Sequence, residues 1–193
     1  IKKYREDMKE NRELEKERFL NQIITQNLSL AQILETGESL GMDLSAPLYN
    51  ILLLKITENG GKQETYAEIE SALDTLSGVF SFRRGVDEWL FLLTADDAEK
   101  MERRIESCRK TVRQITEKTD PPVEYFGALG NPVERLREIK NSLKEAEKKF
   151  AFQYFKKWNQ ILEIPVRDVG SSENPQTEKN ENEELLISSV QVD

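Results

Sequence analysis

Two adjacent carboxylates, Asp87 and Glu88, close the run Arg83-Arg84-Gly85-Val86-Asp87-Glu88, where acidic, basic and glycine residues are bunched between two apolar runs. Nowhere else are these residue types bunched between two apolar runs, so any active site of this chain is expected here. The competing reading is a solvated turn whose charges form local ion pairs worth about 0–1 kcal/mol each. Composition closes off other chemistries. The chain has no histidine, which removes Ser-His-Asp and Cys-His catalysis, imidazole acid–base work and most zinc sites. Its single cysteine, Cys108, cannot form an internal disulfide, as suits a reducing cytosol. Cys108 falls on the apolar stripe of a helix and reads as a small buried hydrophobe.

The charged run must be held by the elements around it. Val79, Phe80 and Phe82 lead in and Trp89 to Leu93 lead out, a hairpin pattern. Tyr49 to Thr57 is a continuous apolar run, expected as a central strand covered on both faces. Glu58 to Lys62 reads as a turn; its Gly60-Gly61 lacks the Gly-Lys-Ser/Thr ending of a phosphate loop. Thr65-x-x-Glu68 reads as a capping box opening a helix to Leu76, with Gly78 beyond its end. Ala98, Met101, Ile105, Cys108, Val112 and Ile115 recur at helical spacing, and Pro121-Pro122 ends that helix.

Val123 to Leu129 is expected as a strand, and Asn131-Pro132-Val133-Glu134 as the start of a helix with Val133, Leu136, Ile139, Leu143, Ala146 and Phe150 inward. The aromatics Phe150, Phe152, Tyr154, Phe155 and Trp158 read as core packing before a last strand, Ile161 to Val166. No basic groove accompanies them to support base stacking.

Residues 1–28 form a charged helix in this reading, and 29–47 a second helix and loop. Residues 48–167 are the sheet domain and 168–193 an acidic, disordered linker. Along the first helix Tyr4, Met8, Leu20 and Ile24 are candidate dimer positions. Either the helix pairs in a parallel coiled coil with a slipped polar middle, or it is solvated and packs only its last two turns on the domain. Ser29 caps the second helix, Ala31, Ile33 and Leu34 face inward, and Gly41 stops it. Leu185-Leu186-Ile187 reads as the beginning of a further helix, and the opening Ile1 suggests a piece of a longer protein.

From Asp168 onward seven acids face one lysine, which accounts for six of the net eight negative charges. The body is therefore nearly neutral and a poor nucleic-acid binder by itself. No apolar run approaches the roughly 18–20 residues that span a membrane, and no signal peptide is visible. The fold class that follows is α+β, one sheet around an antiparallel pair with helices packed on it, preceded by a long N-terminal helix.

With Arg84-Gly85-Val86-Asp87-Glu88-Trp89 at the hairpin tip, this order of elements resembles the GGDEF domain, the diguanylate-cyclase fold with a ferredoxin-like core. Val86 stands where the family signature has its second Gly, and Trp89 where it has Phe. Glu17-Arg18-Phe19-Leu20-Asn21-Gln22-Ile23-Ile24, Tyr49-Asn50-Ile51-Leu52-Leu53-Leu54 and Gly127-Ala128-Leu129-Gly130-Asn131-Pro132-Val133 followed by Ser142-Leu143-Lys144-Glu145-Ala146 are similar to the central region of YesN-like response regulators.

The resemblance implies a cytoplasmic, homodimeric module between a receiver and an AraC-type DNA-binding domain, served by a sensor histidine kinase. It also implies that Asp87 and Glu88 sit beside the end of the central strand. There the family carries Asp-x-Asp, and this chain has Lys55-Ile56-Thr57. Lysine cannot ligate a divalent cation, and the side chain of Val86 obstructs the close approach that glycine permits. The family's guanine-reading Asn and Asp have no counterpart near Asn59 to Lys62, and its Arg-x-x-Asp inhibition motif is absent near Leu76 to Val79. The expectation is a degenerate site with no catalysis, metal or cofactor, in a signalling and dimerisation module. The alternatives are a nucleotide or metabolite sensor and a residual diguanylate cyclase using Asp87 and Glu88.

Overall fold

The computed structural model describes residues 2–57 and 63–163. A five-stranded sheet runs in the spatial order β2-β3-β1-β4-β5, built from β1 (Leu48–Ile56), β2 (Val79–Arg83), β3 (Glu88–Ala95), β4 (Tyr125–Leu129) and β5 (Gln160–Leu162). β1 pairs antiparallel with both β3 and β4, and β5 joins β4 in parallel. The helices are α1 (Lys2–Thr25), α2 (Leu30–Ser39), α3 (Gln63–Asp74), α4 (Ala98–Lys118) and α5 (Ile139–Phe150).

The apolar run of β1 divides by alternation between two cores, because successive strand side chains point to opposite faces. Tyr49, Ile51 and Leu53 meet Phe19, Leu20 and Ile23 of α1, Ile33 of α2, and Ile139, Leu143 and Ala146 of α5. Leu52, Leu54 and Ile56 meet Ile69 and Leu73 of α3 and the stripe Met101, Ile105, Cys108, Val112 and Ile115 of α4. That double coverage is why β1 shows no polar alternation.

The local signals act largely as expected. Ser29 caps α2 reciprocally: its Oγ accepts from Gln32 N at 3.3 Å, while Gln32 Oε1 accepts from Ser29 N at 2.9 Å. Gly41 and Gly78 adopt φ of +75° and +71° at the exits of α2 and α3, a region glycine enters at no steric cost.

Several expectations need correction. α3 already includes Gln63, so Thr65 and Glu68 lie within it and are not its capping box; the Thr65 side chain is buried. α3 also stops at Asp74, short of Leu76. Ala31 is exposed rather than inward. Asn131 to Glu134 does not start a helix. Val133 instead bridges to Tyr49, each backbone N–H donating to the other's carbonyl at 2.8 and 2.9 Å. The chain turns through a 3-10 segment, Leu136–Glu138, before α5 begins. The backbone there completes the sheet's pairing first, overriding the local cap signal.

The last strand is shorter than expected, and Ile164 to Val166 lie outside the described residues, as do the Glu58–Lys62 turn, the acidic linker and Leu185–Ile187. Among the C-terminal aromatics, Phe150 and Trp158 pack on Phe126 with ring centroids 5.9 and 6.1 Å away. Tyr154 and Phe155 are exposed, so the core explanation holds for only part of that cluster.

Of the helix positions read as a dimer stripe, Leu20 is buried and Ile24 half-buried in the domain's own core, while Met8 is exposed. The side chain of Tyr4 lies outside the described residues. Leu20 is thus spent on the domain's own core and Ile24 in part, and the last two turns of α1 pack on the domain. No described helix is long and apolar enough to cross a membrane.

Candidate functional site

The β2–β3 hairpin holds the charged tip rigidly at its base. Arg83 pairs with Trp89, and Arg84 N donates to Glu88 O at 2.9 Å. Gly85 takes a φ of +148°, with open space where a Cβ would stand, and Val86 is 78% exposed. Val86 therefore faces solvent rather than a neighbouring backbone.

Because β3 lies beside β1 in antiparallel register, Glu88 falls directly opposite Lys55. Lys55 Nζ reaches Asp87 Oδ2 at 3.0 Å, with both side chains about one quarter exposed. The hydrogen bond to Asp87 holds the Lys55 ammonium charged above its ordinary range, with further help from the charges of Asp87, Glu88 and the nearby Tyr154, and burial opposes it. On the same flank Arg84 Nη2 meets Glu147 Oε1 of α5 at 2.5 Å. The tip is thus tied to β1 by one ion pair and to α5 by another.

Strand alternation separates the remaining signature residues. Glu88 shares a face with Leu90 and Leu92, the α5 side, whereas Trp89 points into the α3–α4 core. There its ring stacks on Tyr66 of α3, with centroids 4.6 Å apart, and Tyr66 Oη donates to Ile56 O at 3.2 Å. Thr57 turns away from the tip: its hydroxyl exchanges hydrogen bonds with the backbone of Glu124, accepting at 3.3 Å and donating at 3.4 Å. The structure therefore brings together Arg84, Asp87, Glu88 and Lys55, and leaves Thr57, Val86 and Trp89 outside that cluster.

A divalent cation does not fit these side chains. The nearest partner of Asp87 is an ammonium, which cannot ligate and repels the metal. Among the described residues, no group of three or more acidic or thiol side chains is placed to hold a metal ion.

The sequence pattern of the GGDEF-like domain matches residues 25–148, well over half of the chain. The chain belongs to the GGDEF-like domain family. In this GGDEF-like domain Arg84-Gly85-Val86-Asp87-Glu88-Trp89 lies at the hairpin tip, next to the end of β1. Among solved structures, the chain is similar to the diguanylate cyclase SiaD of Pseudomonas aeruginosa, crystallised with its activator SiaC, at 13% identity and a TM-score of 0.45. That match covers 70% of this chain and 55% of the cyclase's, so it spans about half the cyclase's length. No curated protein matches the chain.

Sequence reasoning missed three partners of the site: Glu147, Tyr154 and Tyr66. Glu147 sits one residue after the inward Ala146 and carried no signal of its own. The stack of Tyr66 on Trp89 depends on how α3 crosses β3.

Proposed function

We propose that this GGDEF-like domain is a non-catalytic signalling and dimerisation module of a two-component response regulator. In this reading a receiver domain precedes it, phosphorylated by a sensor histidine kinase, and an AraC-type DNA-binding domain follows it in a cytoplasmic homodimer. A change in the pairing or phase of α1 passes through the sheet domain to the DNA-binding end. The reading is supported above all by the Lys55–Asp87 ion pair, which spends the tip carboxylate on a protein cation. The test is incubation with GTP and Mg²⁺ or Mn²⁺, with no cyclic dinucleotide expected. A product that disappears in Glu88→Ala overturns the non-catalytic assignment in favour of a residual diguanylate cyclase. Sedimentation of the protein and of Met8→Lys tests pairing through the exposed part of α1. Self-association that Met8→Lys weakens is expected, and a monomer at high micromolar concentration removes the dimer role of this region.

A second reading is a nucleotide or metabolite sensor, favoured by a cavity of about 420 Å³ lined by Arg109, Arg113, Tyr125, Asn159 and Glu163. The volume lies in the range of small-molecule sites, and Arg113 makes no ion pair among the described residues. A thermal-shift series with GTP first tests it, since a ligand bound only by the native state raises the midpoint. Absence of any shift with nucleotides removes the nucleotide version.

A further inference from the structure

α1 is attached to the domain by two kinds of contact. Its last turns are anchored by Phe19, Leu20 and Ile23, all at most 5% exposed. Upstream, Met8 and Leu14 are exposed, and the helix is held by two cations. Arg12 Nη2 donates to Leu40 O, beyond the end of α2, at 3.0 Å. Lys16, only 8% exposed, extends its ammonium to Ser81 Oγ on β2 at 3.4 Å.

Carboxylates outnumber cations around Lys16. Glu13 lies 3.8 Å and Asp74 3.9 Å from its Nζ. Ser81 joins Lys16 to α3: its backbone N–H donates to Asp74 Oδ1 at 2.9 Å, and its Oγ lies 2.8 Å from Asp74 Oδ2 and 3.4 Å from Glu70 Oε1. Two of the acids, Glu70 and Asp74, belong to α3, and one, Glu13, to α1 itself. They face Lys16 and, further off, Lys9.

We propose that this cluster is an ionic latch, closed by Lys16 and weakened by its surplus of carboxylates, through which the part of α1 upstream of Phe19 docks on or leaves the β2 edge while the sheet stays folded. The anchors at Phe19, Leu20 and Ile23 make the turn between Lys16 and Phe19 the hinge. β2 leads from Ser81 straight to Arg84, so the latch lies three residues from the tip's ion pair with Glu147.

The latch responds to pH through Glu70. Burial, then repulsion from Glu13 and Asp74, push its carboxyl above the ordinary range, and Lys16 and Lys9 oppose this. Of these groups Glu13, Lys16 and Lys9 belong to α1; where its cover and Glu13 outweigh the two lysines, docking is favoured as pH falls through that raised value. The latch gives the relay reading its contact, and rests on that reading only for its purpose in a signalling chain.

Hydrogen–deuterium exchange on the whole chain tests it, independently of cyclase activity and self-association. Lys16→Met is expected to speed exchange across residues 8–16 by about tenfold or more while β1 and β3 keep their protection, as for a local opening. Lys16→Arg keeps the charge and should keep near-native rates. Glu70→Gln should slow exchange across residues 8–16, and its difference from wild type should shrink as pH falls, after correction for intrinsic rates. The latch is overturned by unchanged rates in Lys16→Met, by equal acceleration in β1 and β3, or by faster α1 exchange in Glu70→Gln. If Lys16→Met does not fold, the Glu70→Gln arm decides alone.

Discussion

Lys55 and Asp87 meet at 3.0 Å across the β1–β3 ladder, one from the last turnout of a buried strand and one from a hairpin tip. The pair ties the hairpin tip to the central strand of the sheet. It also pairs the Asp87 carboxylate with a cation of the protein itself.

The pair's worth is expected to be modest, because both side chains remain in reach of water. A double-mutant cycle on Lys55→Met and Asp87→Asn should return a coupling of about 1 kcal/mol in urea unfolding. Its pH dependence has a definite sign. The folded-state value of Lys55 is raised, so the stabilisation is fully present below its ordinary 10.5 and is lost as pH rises through the raised value. The stability gap between wild type and Lys55→Met should stay constant from neutral pH into the mild alkaline range and close above it.

Gly130 carries the contact between β4 and α5. A Cβ there would stand 2.2 Å from Ser142 O and 2.3 Å from Ser142 Oγ. Ser142 in turn accepts from Ile51 N at 3.1 Å and donates to Asn50 Oδ1 at 3.0 Å, so it cannot shift without breaking the joint with β1. Gly130→Ala should cost about 1–3 kcal/mol or more of unfolding free energy by overpacking, read from the urea midpoint. Gly85→Ala, with open space but a φ of +148°, should show backbone strain without a clash.

Cys108 is fully buried on α4, and burial pushes its thiol up to about 12, partly opposed by Arg104. At pH 8 it should therefore react with a thiol reagent only as fast as the protein opens. Labelling that is complete within seconds in native buffer would contradict its placement in the core.

The anchoring of α1 makes a graded prediction. Phe19→Ala should destabilise the domain by about 3–5 kcal/mol through cavity formation. Leu14→Ala, at a position 53% exposed, should stay within about 0.5 kcal/mol of wild type. Chemical denaturation of both variants, followed by tryptophan fluorescence, separates the two halves of the helix.

Much of the architecture was legible because it follows from local rules. The unbroken apolar run of β1 requires cover on two faces, and the stripe through Cys108 requires a sheet to lie on. The hairpin is flanked by apolar runs that can pair only across a short polar turn. The cap signal at Asn131–Glu134 misled because it competes with sheet pairing, and the Val133–Tyr49 bridge satisfies backbone groups that a helix start would have left to solvent. Thr65-x-x-Glu68 misled because two residue types at that spacing also occur inside a helix.

Residue identity and short-range periodicity were enough for the α+β class, the central strand, the hairpin and the stripe of α4, and the lack of histidine removes imidazole chemistry. Which charges meet follows from the packing of distant elements. The β1–β3 register places Lys55 opposite Glu88 and within reach of Asp87, the packing of α5 delivers Glu147 to Arg84, and the crossing of α1 over the β2 edge buries Lys16 among Glu13, Glu70 and Asp74. Each of these depends on the relative placement of elements far apart in the chain, which no local pattern of residues encodes.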